Sequence, residues 1–243
     1  METATRVTSP LGRAAACVAR AIRATTSAKA GGGWAISGGF WTFARTAQFL
    51  GRRARLRKGA KAALPTLLFF TDPTRTPDPE AVARRLPRGA AVVFRAFGAA
   101  DAEARGRRLK AIARSRGLIL LIGADAGLAR SLGADGVHLP ERLAGRARRL
   151  KATHPFWIVT AAAHSPAAAR RALRAGADAT VVSTVFASRS ASAGAPMGAV
   201  RLAILVRRVG GAVYGLGGID NKKARLLKDS GLAGVAAVDA FGT

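Results

Sequence analysis

A series of polar residues in this chain follows directly on short apolar runs, the placement that brings a side chain to the end of a buried strand. In chain order they are Asp72, Arg95, Asp125, Glu141, His164 with Ser165, Ser183 with Thr184, the loop from Ser188 to Ser192, Gly217 with Gly218, and Asp239. Arg95 offers a planar, permanent cation suited to phosphate. His164 carries an imidazole, which titrates in the range that proton transfer needs. Asp125 and Glu141 are the oxygen donors open to a divalent metal, against the plainer reading of two solvated or capping carboxylates. The stretch FASRSASAGAPMG supplies Ser188, Arg189, Ser190 and Ser192, short donors and a cation able to wrap an anion, or simply a solvated loop. In YGLGGID the missing side chains of Gly217 and Gly218 let backbone N–H groups approach a phosphate beside a helix that starts at Asn221.

The elements needed to position these residues are legible as eight strand candidates: Thr66 to Thr71, Ala90 to Arg95, Leu118 to Ile122, Gly136 to Leu139, Trp157 to Thr160, Ala179 to Val182, Ala212 to Leu216 and Gly234 to Val238. Helical spacing of apolar residues fills gaps between them, as over Ala102 to Arg114, Pro166 to Ala175 and Asn221 to Asp229. LGADGVHL, AGADATVV and SGLAGVAAV each place a glycine at a helix end just before a strand, where a left-handed residue closes the helix. Strand alternating with helix eight times predicts an α/β fold, a compact (β/α)8 TIM barrel over residues 65–243 with its site at the C-terminal strand ends. At about 180 residues it is small against the ~250 typical of that architecture.

Residues 1–64 read differently, as a basic and mostly disordered N-terminal extension in which only Trp34 to Leu50 looks foldable, as a possible cover for the barrel. They hold 12 basic residues and one acid, Glu2, and so carry +11, while the rest of the chain carries +16 of the total +27. Such a field attracts nucleic acid, anionic lipid or phosphorylated metabolites. Many arginines nevertheless fall on outer helix faces, among them Arg107, Arg108, Arg148, Arg149, Arg207 and Arg208, and base-stacking aromatics interleaved with them are scarce. Specific nucleic-acid binding is therefore not expected. One cysteine, Cys17, cannot form an internal disulfide, and no apolar run reaches the ~18 residues of a membrane span. The expected location is cytoplasmic, with an organelle as the alternative if the acid-poor extension is a transit peptide.

GADGVHLPE, TAAAHS, GADATVVSTVF with its Ser-rich loop, LGGID and GLAGVAAVDAF occur in an order and spacing that resemble the thiamine phosphate synthase and TenI family, over Pro65 to Phe241. The resemblance implies thiamine biosynthesis: hydroxymethylpyrimidine diphosphate loses pyrophosphate to magnesium, and the nitrogen of a thiazole phosphate captures the pyrimidine cation. Small phosphorylated pyrimidine and thiazole ligands are then the partners, with the oligomeric state open. It implies Arg95 as the pyrophosphate-binding arginine and Ser188 and Ser190 as anion contacts beside Gly217 and Gly218. It also implies magnesium (Mg2+), yet the family's two metal aspartates fall on Ala124 and Leu143, leaving only Asp125 and Glu141 nearby. Further departures are Val93, Phe97, Ala162 and Ala191 where polar groups are expected, and Asp239 where a phosphate-binding serine is expected. His164 matches the histidine of the TenI branch, which isomerises a thiazole carboxylate phosphate. Two alternatives to synthase activity follow, a TenI-like isomerase using His164 and a non-catalytic ligand-binding or regulatory barrel. His138, on the fourth strand, reads as a core residue.

Overall fold

The computed structural model describes residues 43–52, 64–188 and 194–238. Eight short runs form the strands β1 (Leu67–Phe70), β2 (Ala91–Phe94), β3 (Ile119–Gly123), β4 (Gly136–Leu139), β5 (Ile158–Ala163), β6 (Ala179–Val182), β7 (Val213–Leu216) and β8 (Gly234–Ala237). Each pairs in parallel with the next, and β8 pairs with β1, so the sheet closes into a barrel. The strands read as unbroken apolar runs because both faces are buried. Alternation decides which face each side chain takes: Leu68, Phe70, Val93, Leu121, Val181 and Tyr214 fill the barrel interior. Their neighbours Phe69, Val92, Leu120, Val137 and Val159 pack outward against the helices.

The helices follow the strands of the same number: α1 (Pro79–Arg85), α2 (Ala102–Arg116), α3 (Ala126–Ser131), α4 (Ala147–Thr153, after a 3-10 turn at Glu141–Arg146), α5 (Pro166–Arg174), α6 (Gly198–Val209) and α7 (Asn221–Leu226). Their starts are written in local chemistry. Asp78, Asp125, Ser165 and Asp220 each accept a hydrogen bond from a first-turn N–H, and Pro79 and Pro166 occupy positions where a missing N–H costs nothing. The expected barrel is thus the observed one, with element ends that shift by a few residues.

At the N-terminal end of the strands, two aspartates that the sequence placed beside glycines tie the layers together. Asp135 accepts from the Leu120 N–H at 2.8 Å and pairs with Lys110 at 3.3 Å. Asp178 repeats this with the Val159 N–H at 2.8 Å and Lys151 at 3.2 Å. The Tyr214 hydroxyl, fully buried, donates to the Pro65 carbonyl. Gly136 is forced by packing, since an added Cβ would lie 2.0 Å from the Ile158 carbonyl oxygen.

Within the expected extension, residues 43–52 are helical and bury Phe43, Ala44, Ala47 and Leu50 in the outer core, at the spacing of one helix face. A Cβ at Gly51 would meet Thr66 Cγ2 at 2.1 Å and the Ala233 carbonyl at 3.0 Å, so this helix lies against the starts of β1 and β8. Residues 1–42 and 53–63 of the extension lie outside the described residues, as does any reading of them as disordered or as a transit peptide.

Candidate active site

Arg95, just past β2, is held from four sides. Its Nε donates to the Thr71 carbonyl at 2.7 Å and its peptide N–H to Thr71 Oγ1 at 2.9 Å. One terminal nitrogen donates to Asp72 Oδ2 at 3.1 Å, and the guanidinium stands 5.7 Å from the Phe70 ring and 5.0 Å from the Phe97 ring. Burial lowers its pKa from the ordinary value, with the attraction of Asp72 opposing that shift. An arginine fixed this way presents its remaining donors with little entropy left to lose.

Asp72 is the organiser of that arrangement. Its Oδ1 accepts from the Thr74 and Arg75 N–H groups, each at 3.1 Å, and from Thr74 Oγ1 at 2.7 Å, an Asx turn built by the Asp-Pro sequence. Oδ2 pairs with both Arg75, at 3.3 Å, and Arg95, at 3.1 Å. Burial alone would raise the carboxyl's pKa, but the hydrogen bonds from Thr74 and Arg75 outweigh it and bring it from 3.8 to about 2.

A cleft at the C-terminal strand ends gathers Arg75, Arg95, His164, Ser183, Thr184, Ser188, Gly217 and Gly218 around a volume of about 100 Å³, floored by Ala236, Ala237 and Val238. Seven residues singled out from the sequence, Arg95, His164, Ser183, Thr184, Ser188, Gly217 and Gly218, therefore share one cavity. Ser190, Arg189 and Ser192 lie outside the described residues, and so does Asp239. His164 donates its peptide N–H to Glu141 Oε2 at 2.8 Å, and its Nδ1 lies 3.3 Å from Ser183 Oγ. A second cavity of about 270 Å³ opens on the other side of Arg95, toward Phe97 and Arg105.

The glycine turn has a structural duty besides any ligand. Gly217 and Gly218 take positive φ angles of 101° and 60°, and a Cβ on Gly218 would sit 2.2 Å from the Ala187 carbonyl, so only glycine admits this contact between the β6 and β7 loops. The first turn of α7 is capped from within by Asp220, which accepts from the Lys223 N–H at 2.8 Å. The expected phosphate cradle thus competes with a carboxylate already seated there.

Asp125 and Glu141, the candidate metal donors, are used by the fold, as the plainer capping reading has it. Asp125 caps α3 through the Leu128 N–H at 2.8 Å. Glu141 holds His164 in place and faces Arg171 at 3.7 Å. Leu143 packs against the outer core, and Ala124 has no donor to offer. Among the described residues no three His, Cys, Asp or Glu side chains gather in a group able to hold a metal ion. The donor set present does not fit magnesium as the resemblance would place it.

His138 is the other imidazole near the site, and it is buried, with Nδ1 3.0 Å from Thr160 Oγ1 and its ring edge-on to Phe70 at 4.8 Å. Burial, reinforced by the Arg95 charge, lowers its pKa from 6.5 to about 3 and keeps it neutral. Sequence reading did not pick out Arg75, which sits five positions past the end of β1; the Asp-Pro-Thr-Arg turn was the available signal.

Comparison with known proteins agrees with this geometry. The family model described as thiamine monophosphate synthase (TMP-TENI) matches residues 67–241. The thiamine-phosphate synthase of Bacillus velezensis is 28% identical over 194 residues, covering 76% of this chain and 86% of that protein. The thiamine-phosphate synthase of a Roseiflexus species is 32% identical over 143 residues, covering 58% of this chain and 61% of that protein. Among solved structures, the thiamine phosphate pyrophosphorylase of Pyrococcus furiosus superposes with a TM-score of 0.62 at 25% identity, covering 77% of this chain and 90% of that one.

Proposed function

Because this chain belongs to the thiamine monophosphate synthase family, we propose that it binds phosphorylated pyrimidine and thiazole intermediates of thiamine biosynthesis in the cleft around Arg95 and joins them into thiamine phosphate. The observation that carries the proposal is Arg95, immobilised by Thr71 and Asp72 at a cleft that also holds His164, Ser183 and Ser188. In that reaction the carbon–oxygen bond of the pyrimidine diphosphate breaks with its electron pair going to pyrophosphate, and the thiazole nitrogen supplies the pair for the new carbon–nitrogen bond. Arg95 supports the charge developing on the departing pyrophosphate, a preorganised donor acting where charge grows. Ser188 and the hydroxyls of Ser183 and Thr184, which line the same cleft, orient the second phosphate. The positions at which the resemblance expects magnesium ligands, Ala124 and Leu143, offer the ion no donor.

A second reading rests on His164. Its backbone is fixed by Glu141 and its Nδ1 lies beside Ser183, so the imidazole is oriented at the cleft as a proton carrier for isomerising a thiazole carboxylate phosphate. Incubating the purified chain with hydroxymethylpyrimidine diphosphate and thiazole phosphate, with magnesium and again with EDTA, tests the first reading. Thiamine phosphate above the uncatalysed background supports it, and none in either condition from folded protein eliminates it. For the second reading, His164→Ala abolishes isomerisation while ligand binding persists. An unchanged rate removes His164 from the chemistry.

A further inference from the structure

We infer that Arg75 is a second anion-binding residue of this cleft, paired with Arg95 through Asp72 into a single two-guanidinium clamp; the inference rests on the ligand reading above and adds to it a residue outside the positions that carried the family resemblance. Arg75 lines the same cavity as Arg95 and His164. Both arginines contact one carboxylate oxygen, Asp72 Oδ2, at 3.3 and 3.1 Å, which fixes the spacing of the two cations. Asp72 is itself fixed by the Thr74 and Arg75 N–H groups, so the clamp is built on the β1 loop and does not depend on two freely rotating side chains. It stays ionised down to about pH 2.

Charge decides what the clamp selects. One carboxylate between two guanidiniums leaves a surplus positive charge, and no carboxylate lines the cleft among the described residues. A single phosphate can also bridge two guanidiniums, but a diphosphate carries more negative charge and more acceptor oxygens, so removing one guanidinium costs it more. The clamp therefore prefers a diphosphate to a monophosphate, and the preference arises from Arg75.

Titration of inorganic pyrophosphate and inorganic phosphate into the full chain, measured by calorimetry, tests this with Arg75→Gln, Arg75→Lys and Arg95→Gln beside the unsubstituted protein. The expected result is that Arg75→Gln weakens pyrophosphate at least tenfold and phosphate less than threefold, while Arg75→Lys recovers part of the loss and the thermal midpoint of each variant stays near that of the parent. If Arg95→Gln weakens pyrophosphate and Arg75→Gln does not, the inference fails and the ligand reading stands. Equal weakening of both anions by Arg75→Gln also overturns it, since the diphosphate preference is then absent. If the parent chain binds no pyrophosphate, the ligand reading and the inference fall together. Should Arg75→Gln lower the thermal midpoint, Arg75→Lys carries the test, and a lysine variant as weak for phosphate as for pyrophosphate contradicts the clamp.

Discussion

Asp125 and Glu141, after β3 and β4, give their carboxylates to backbone N–H groups, whereas Arg75, Arg95 and His164, after β1, β2 and β5, face one cleft. The two halves of the same barrel mouth have parted in use. One gathers two arginines and a histidine around a space, and the other braces the fold. The resemblance implies both pyrophosphate and a metal; on the reading proposed above this chain keeps the anion side, while the positions that the resemblance assigns to the metal are Ala124 and Leu143. On that reading, binding of phosphorylated ligands and dependence on magnesium are separable in this chain, although fold similarity alone would have joined them.

The largest expected effect lies in the anion half. Arg95→Gln removes a charge-assisted pair worth about 1.5–3 kcal/mol, so pyrophosphate affinity falls roughly tenfold to a hundredfold by calorimetry. A change below threefold would move the anion site away from β2.

Next in size is a pH effect from the buried imidazole on β4. The His138 pKa is about 3 in the folded chain against its ordinary 6.5, so the unfolded chain binds the extra proton first. That contribution to stability is complete above pH 6.5 and is lost as the pH falls toward 3. Between pH 7 and pH 5 it amounts to about 2 kcal/mol. Denaturant melts of the parent and of His138→Gln measure it, and the variant should lose the slope across this window. Asp72, lowered from 3.8 to about 2, adds its own loss only below pH 3.8 and does not confuse the comparison.

Much of this was legible in the sequence, for stated reasons. Strands buried on both faces leave unbroken apolar runs, and β4 and β6 match those runs residue for residue. Strand ends then predict which polar residues share the mouth, so Arg95, His164 and Gly217 were found together. β5 runs on to Ala163 because its edge toward β6 continues to pair, something a row of alanines does not announce. Arg75 escaped because it enters the cleft through a turn, and a turn's side chains carry no period to read. The fate of Glu141 was hidden for another reason: its partner, the His164 N–H, lies 23 positions away.

Two smaller effects sharpen the contrast from the metal half. Asp125→Ala should cost about 1 kcal/mol of stability through the lost helix cap and leave pyrophosphate affinity unchanged. A loss of affinity there would restore Asp125 to the site. Glu141→Gln keeps an acceptor for the His164 N–H, so the smallest change of all is expected in the response of activity to magnesium. A variant that loses a magnesium response present in the parent would make Glu141 a ligand after all.

The separation of anion binding from metal binding is tested most directly by titrating hydroxymethylpyrimidine diphosphate into the full chain in EDTA and again with magnesium. Equal or weaker binding with the metal present is the predicted result if Arg95 and Arg75 hold the diphosphate themselves. Binding that appears only with magnesium, or tightens tenfold on adding it, would contradict the account.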